Sequence, residues 1–280
     1  MSGARAEQVA AELKGADPDR YYATLLIPEP VRPAVQALYA FNADVATIRE
    51  RAKKPAPGEI RLQWWDDALS GEGHGDVRQN PVADALLSAI GEYGLPVAPL
   101  QRLIEARRFD LYDDPMPDLA TFEGYAGETV SVLFQLAGMI LNGGRPIAEG
   151  DAAGHLGVAQ ALAGHLSAFG HYAQQGRLFL PFSVLAANGV TEGEIFGGTP
   201  SEGLFEARGQ LIEIAVEHLR KAEAAIKLLP KTVRPAFASL PSVRLTLRQV
   251  ELSSTTPFEA PPPVADWRKI AAMTWWNWRG

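Results

Sequence analysis

No cysteine occurs in the 280 residues of this chain. Disulfides, zinc–thiolate sites and thiol nucleophiles are therefore excluded outright, and the composition suits a reducing compartment. Basic blocks are lacking as well. Twenty-six Lys and Arg stand against 33 Asp and Glu, a net charge of -7, which argues against a nucleic-acid partner. No uninterrupted apolar run reaches the ~18 residues of a membrane span. The opening MSGARAEQVAAELKGADPDR is polar and holds no apolar stretch of the kind that marks a secretory signal. The expectation is a cytoplasmic chain whose membrane contact, if any, is peripheral at the inner membrane surface. Period-two alternation long enough for a sheet is missing, and so is any internal repeat.

What remains is helical. Hydrophobic residues make up 47% of the chain, enough for a self-sustaining core. From Pro33, Val35, Leu38, Phe41 and Val45 fall on one side of a helix. A second helix over about 57–69 carries Ile60, Leu62, Trp65 and Leu69, and the GEGHGD loop follows it. Further helices are predicted over about 79–93, 96–112, 118–142, 150–172, 202–229 and 231–250, with Pro, Gly and Asn-Gly-Gly as punctuation. The class is all-α. One domain spans 1–252, a Pro-rich linker 253–263, and a Trp-rich helix 264–280.

Seven blocks, in order along nearly the whole chain, resemble the squalene/phytoene synthase family. They are Tyr39-Ala40-Phe41; Leu62-x-x-Trp65-x-x-x-Leu69; Pro81-Val82-x-x-Ala85-Leu86; Leu103-Ile104 leading to Asp110-Leu111; Thr121-Phe122-Glu123-x-Tyr125; Leu156-Gly157-x-Ala159; and Gly176-Arg177-x-Phe179-Leu180-Pro181. The resemblance implies an isoprenoid-synthase-like helical bundle around a central cavity. In active members that cavity holds two prenyl diphosphates and Mg²⁺, and contacts here would come from Tyr39, Phe41, Asn42, Gly164, His165, His171 and Arg177.

Diphosphate departure needs Mg²⁺ to neutralise the developing charge, and Mg²⁺ needs carboxylate oxygens in near-octahedral array. The resemblance places the first acidic motif, Asp-Asp-x-x-Asp, at Ala46, Thr47 and Glu50, where one acid survives. Asp44 lies two residues early, about 200° around the helix from Ala46. The second motif aligns without a gap onto LGVAQALAGHLSAFGHYAQQGRLFLP. Its acidic positions fall on Ala168, His171 and Tyr172, and no acid occurs from Leu156 to Pro181.

Within the family the pattern resembles the subgroup of the mitochondrial complex I assembly factor and its bacterial relatives. That likeness lies in Phe41-Asn42-Ala43-Asp44, in Gly58-Glu59-Ile60-Arg61-Leu62-Gln63-Trp64-Trp65, and in Glu105-Ala106-Arg107-Arg108-Phe109-Asp110-Leu111-Tyr112-Asp113. It implies an inactive scaffold that assists assembly of respiratory complex I, with subunits or assembly factors as partners, no catalytic residues, no metal and no cofactor. Two alternatives stand beside it. One is an active head-to-head prenyl transferase using Mg²⁺. The other is a protein that keeps an apolar pocket for an isoprenoid or lipid, since Gly164, Ala168 and Tyr172 suit either refilled core or such a pocket.

Other candidates have bland readings. Asp110, Asp113 and Asp114 at i, i+3, i+4 read as a solvated helix end, and Asp66-Asp67 as a solvent-facing pair. His165 and His171, six apart, do not share a helical face, and His155 and His165 are about 15 Å apart. His74 and His218 read as surface. Arg61, Arg107 and Arg108 suit a phosphate but also pair locally with Glu59, Glu105 or Asp110. The tail, with Trp267, Trp275, Trp276 and Trp278 beside Arg268, Lys269 and Arg279, fits a membrane interface, a protein groove or a docked terminal helix.

Overall fold

The computed structural model describes residues 3–52, 54–73, 75–147 and 150–279; His74 lies outside them. Among the described residues every regular element is helical, as the apolar periodicity predicts. In chain order these are α1 (Gly3–Ala16), α2 (Pro18–Thr24), α3 (Arg32–Ala46), α4 (Ile48–Arg51), α5 (Pro55–Ser70), α6 (Pro81–Tyr93), α7 (Ala98–Arg107) and α8 (Leu119–Ala126). Then follow α9 (Val132–Leu141), α10 (Gly150–Ser167), α11 (Phe169–Gln174), α12 (Phe182–Ala187), α13 (Glu192–Phe196), α14 (Glu202–Ile226), α15 (Leu240–Leu252) and α16 (Asp266–Arg279).

Two helices form the centre. α3, opened by Pro33 in its first turn, is buried along nearly its whole length and packs on α1, α6 and α9. α10 packs on α14 and α15. Of the apolar set predicted for α5, Leu62, Trp65 and Leu69 are buried, but Ile60 is 72% exposed. α1 and α2 went unpredicted. Their signals are local: Val9 and Leu13 bury one i, i+4 stripe, and Asp17 caps α2 by accepting from the Arg20 amide, with Pro18 in the first turn.

The run predicted over 118–142 is three pieces: α8, a π-helical turn Gly127–Ser131, and α9. A five-residue turn of this kind widens the helix locally. It lies where α10 crosses, and only a glycine at 157 lets the two backbones meet, because a Cβ there would run into Ser131. Leu119–Leu141 as a whole is long and apolar enough to cross a membrane, but two-thirds (67%) of its most apolar window is buried inside the bundle, which is the environment of a core helix.

Residues 253–263 cross the bundle as a clamped strap. Arg208, 1% exposed on α14, donates to the Pro257 carbonyl, and burial pulls its pKa down to about 10. Phe258 stacks on Phe169 at 5.3 Å, and the strap lies so close to α11 that a Cβ on Gly170 would collide with the Phe258 carbonyl. Gly170→Ala is therefore expected to lower stability by about 1–3 kcal/mol through overpacking. A urea titration with limited proteolysis of the 253–263 segment checks this. An unchanged midpoint and cleavage rate would show that the strap does not rest on α11.

Candidate functional site

On the α3 side the first acidic-motif positions fall at a break in the helix. α3 ends at Ala46 and Thr47 interrupts it (φ -92°, ψ 1°), its hydroxyl donating to the Ala43 carbonyl at 2.9 Å. Glu50, the surviving acid, is exposed on α4. Asp44 accepts from Trp65 Nε1 at 2.8 Å and from Arg51 at 2.6 Å, so it fastens α3 to α5 and α4. Tyr39 lies under the Arg20 guanidinium, 5.6 Å from ring centre, and burial pushes its phenol up to about 12. Phe41 meets Trp65 edge-on at 5.0 Å. Asn42 is buried with its Oδ1 unpartnered.

The second motif also falls at a break. The sequence predicts one helix over 150–172; instead α10 stops at Ser167, and Ala168 (φ -97°, ψ 8°) separates it from α11. Gly164 opens with Ser167 onto a cleft of about 320 Å³ that also holds Arg20 and Ser239. His165 points the other way, into aromatic rings. It stacks on Phe179 at 5.0 Å and neighbours Phe122, Tyr125 and Tyr172 at 5.8–6.4 Å. Its Nδ1 is enclosed and unpartnered. Burial first, then the charges of Arg107 and Arg177, drive its pKa down to about 3, so the ring is neutral. Tyr172 meets Phe179 edge-on at 4.7 Å, and Arg177 lies over both rings, 5.2 and 4.9 Å from their centres.

A buried charged triad backs this plug. Arg107 donates to Asp110 Oδ2 at 3.0 Å and to the Tyr125 hydroxyl at 2.8 Å, and that hydroxyl donates to Asp110 Oδ1 at 2.7 Å. Asp110 is therefore not part of a solvated helix end. α7 finishes in a 3-10 turn, Arg108–Leu111, that turns Asp110 inward, while Asp113 stays outside and pairs with Arg49. Burial opposes the Arg107 cation, but Tyr125 and Asp110 outweigh it and hold the guanidinium more firmly charged than usual. Burial likewise raises the Tyr125 phenol well above its ordinary range.

The donor set does not fit Mg²⁺. Around α10 and α11 the described residues offer aromatic rings, a neutral imidazole and two guanidiniums; Asp110 is already shared between Arg107 and Tyr125, and Glu50, whose charge reaches Tyr172, is a single exposed carboxylate. Cations repel a divalent ion and aromatic faces supply no hard oxygens. Among the described residues no group of three or more His, Asp or Glu is placed to hold a metal ion.

The remaining candidates separate. His171 is exposed and contacts Gln175 at 2.9 Å. His218 is not a free surface residue: its Nδ1 sits 3.1 Å from His155 Nδ1 and its Nε2 3.4 Å from Glu123. Sixty-three residues separate the two histidines, so no spacing rule could have paired them. Asp66 and Asp67 accept from Gln101 and Gln63. Arg108 pairs with Glu59 and Glu105, and Arg61 is exposed. In the tail, Met273 and Trp276 pack inward on α2 and α15.

Residues 13–269 match the family model described as squalene/phytoene synthase. This chain belongs to the squalene/phytoene synthase family. The family match covers both helix breaks and the aromatic plug. Among curated relatives, NADH dehydrogenase (ubiquinone) complex I, assembly factor 6 of Homo sapiens is 26% identical over 239 residues, covering 85% of this chain and 72% of the relative. The 15-cis-phytoene synthase of Synechococcus elongatus is 26% identical over 265 residues, covering 90% and 86%. Of solved structures, a dehydrosqualene synthase superposes with a TM-score of 0.78 at 20% identity, over 96% of this chain and 94% of that one. The squalene synthase of Alicyclobacillus acidocaldarius gives 0.77 at 19% identity, over 91% and 96%. These likenesses establish the isoprenoid-synthase fold.

Proposed function

We propose that this family member is catalytically silent and serves as an assembly factor for respiratory complex I, binding that complex's subunits or other assembly factors at the inner membrane surface. One observation carries the loss of catalysis: the α10–α11 wall bears Ala168, His171 and Tyr172 where the resemblance puts the acids of the family's Mg²⁺–diphosphate chemistry, and His165, Phe179 and Arg177 pack around Tyr172. The likeness to the human assembly factor supports the positive role.

The phytoene synthase similarity, which covers more of that relative's length, supports a second reading as an active prenyl transferase. That reading asks Glu50 to supply most of the metal ligation alone. A pocket for an isoprenoid or lipid without Mg²⁺ is the third reading; the cleft beside Gly164 and Ser167 does not favour it, because Asp17, Asp19, Arg20, Gln160 and three serines line it.

Deletion of the gene in an organism that has complex I tests the leading reading. Membrane NADH:quinone oxidoreductase activity and the amount of assembled complex are expected to fall together and to return with the wild-type chain. Normal assembly in the deletion strain would remove the proposed role.

A further inference from the structure

We infer that the outer face of α16 is an interfacial anchor that docks the bundle on an anionic lipid surface. The tail helix has two faces with separate duties. Asp266, Lys269, Met273 and Trp276, at helical spacing 3, 4, 3, hold it to the bundle. Asp266 accepts from the Tyr22 hydroxyl at 2.8 Å, Lys269 donates to Asp19 at 2.6 Å, and Met273 is 1% exposed.

The opposite stripe, Trp267, Ile270, Thr274 and Trp278, repeats at 3, 4, 4 and points outward. Trp267 and Trp278 are 71% and 76% exposed, and Trp275 at the stripe's edge is 53% exposed. The Trp275 and Trp278 rings lie 5.4 Å apart, and the Arg279 guanidinium sits 4.3 Å over Trp275. Because the docking face holds the helix in place, the indoles cannot fold back onto the core. So much aromatic area left in water marks an interaction surface.

Charge selects the partner. Beside α16 a groove of about 400 Å³ is lined by Leu245 and Trp275, by Lys227, Arg234, Arg244 and Arg279, and by one acid, Glu223. That patch is cationic on a chain whose net charge is -7, so an anionic surface would orient the molecule with α16 inward. Exposure selects a bilayer over a folded protein. Trp267 and Trp278 stand largely free of the bundle, and exposed indoles flanked by Arg enter the soft headgroup layer, where ring and N–H are both satisfied.

Flotation of the full chain with phosphatidylcholine vesicles, with and without about one-third phosphatidylglycerol, tests this; binding is expected to be about tenfold or more tighter to the anionic vesicles and to weaken with salt. Tryptophan emission should shift to the blue on binding. The double variant Trp267→Ser, Trp278→Ser leaves Met273 and Trp276 in place and should keep the wild-type circular dichroism while losing the vesicle binding. Lys227→Gln, Arg244→Gln and Arg279→Gln together should abolish the preference for anionic lipid, and an undiminished preference would overturn the role given to that patch. No binding to anionic vesicles, equal binding by the Trp variant, or self-association that the Trp variant removes would each overturn the anchor.

Discussion

Replacing Asp110 by alanine is expected to lower the unfolding free energy by about 3–5 kcal/mol, the effect of stranding a buried cation. Arg107 and Asp110 have side chains only 14% and 10% exposed, and among the described residues Asp110 is the one ion-pair partner of Arg107. The Tyr125 hydroxyl also loses its acceptor, so a buried O–H is left unmet beside a guanidinium that keeps its bond to the Tyr125 oxygen but has lost its counter-charge. Asp113→Ala is the control. Its carboxylate is 58% exposed opposite Arg49, and its loss should change stability by no more than about 1 kcal/mol. Urea titrations of the two variants at neutral pH separate them. Equal, small effects would mean that the triad is open to water and that the site behind it is not a sealed plug.

His165→Phe is expected to protect the protein against acid. In the fold His165 has a pKa of about 3, below the ordinary 6.5. An unfolded chain therefore takes up a proton on this ring between those values while the folded chain does not. The sign follows: the contribution of neutral His165 to stability is complete above about pH 6.5 and is lost as pH falls through the window. Phenylalanine keeps the stacking against Phe179 and removes the titration. By about pH 4.5 the variant should be more stable than wild type by roughly 2–3 kcal/mol relative to their difference at pH 8. A constant difference across that range, measured by chemical denaturation, would show that the ring is hydrated and free to charge.

The fold was largely legible because it rests on period and punctuation. Val35, Leu38, Phe41 and Val45 repeat as one face of a helix must, and all four are buried. The N-terminal helices escaped because α1 buries only Val9 and Leu13, too sparse a stripe to outweigh its charged residues. The breaks at Thr47 and Ala168 escaped because neither site carries proline or glycine. Tertiary packing interrupts the helices there, and propensity says nothing of it.

The site was legible in what it lacks and not in what replaces it. Missing carboxylates at Ala168 and Tyr172 can be read directly once the blocks are aligned. That His165, Tyr172, Phe179 and Tyr125 converge depends on how α8, α10 and α11 cross, which no spacing encodes. Asp110 was misread for a related reason. A helix ending in Asp-Leu-Tyr-Asp-Asp looks wet, and only the 3-10 turn sends its first acid inward to Arg107. Residues 253–263 have the Pro and Ser content of a spacer; Arg208 and Gly170, far away in sequence, clamp them to the bundle.

Incubating the full chain with farnesyl or geranylgeranyl diphosphate and Mg²⁺ tests the proposed loss of prenyl-transfer chemistry most directly. Diphosphate release is expected to stay at the protein-free rate, and Glu50→Gln is expected to change nothing. Release well above that rate which Glu50→Gln abolishes would mean that the remaining acid suffices and that this bundle is an enzyme.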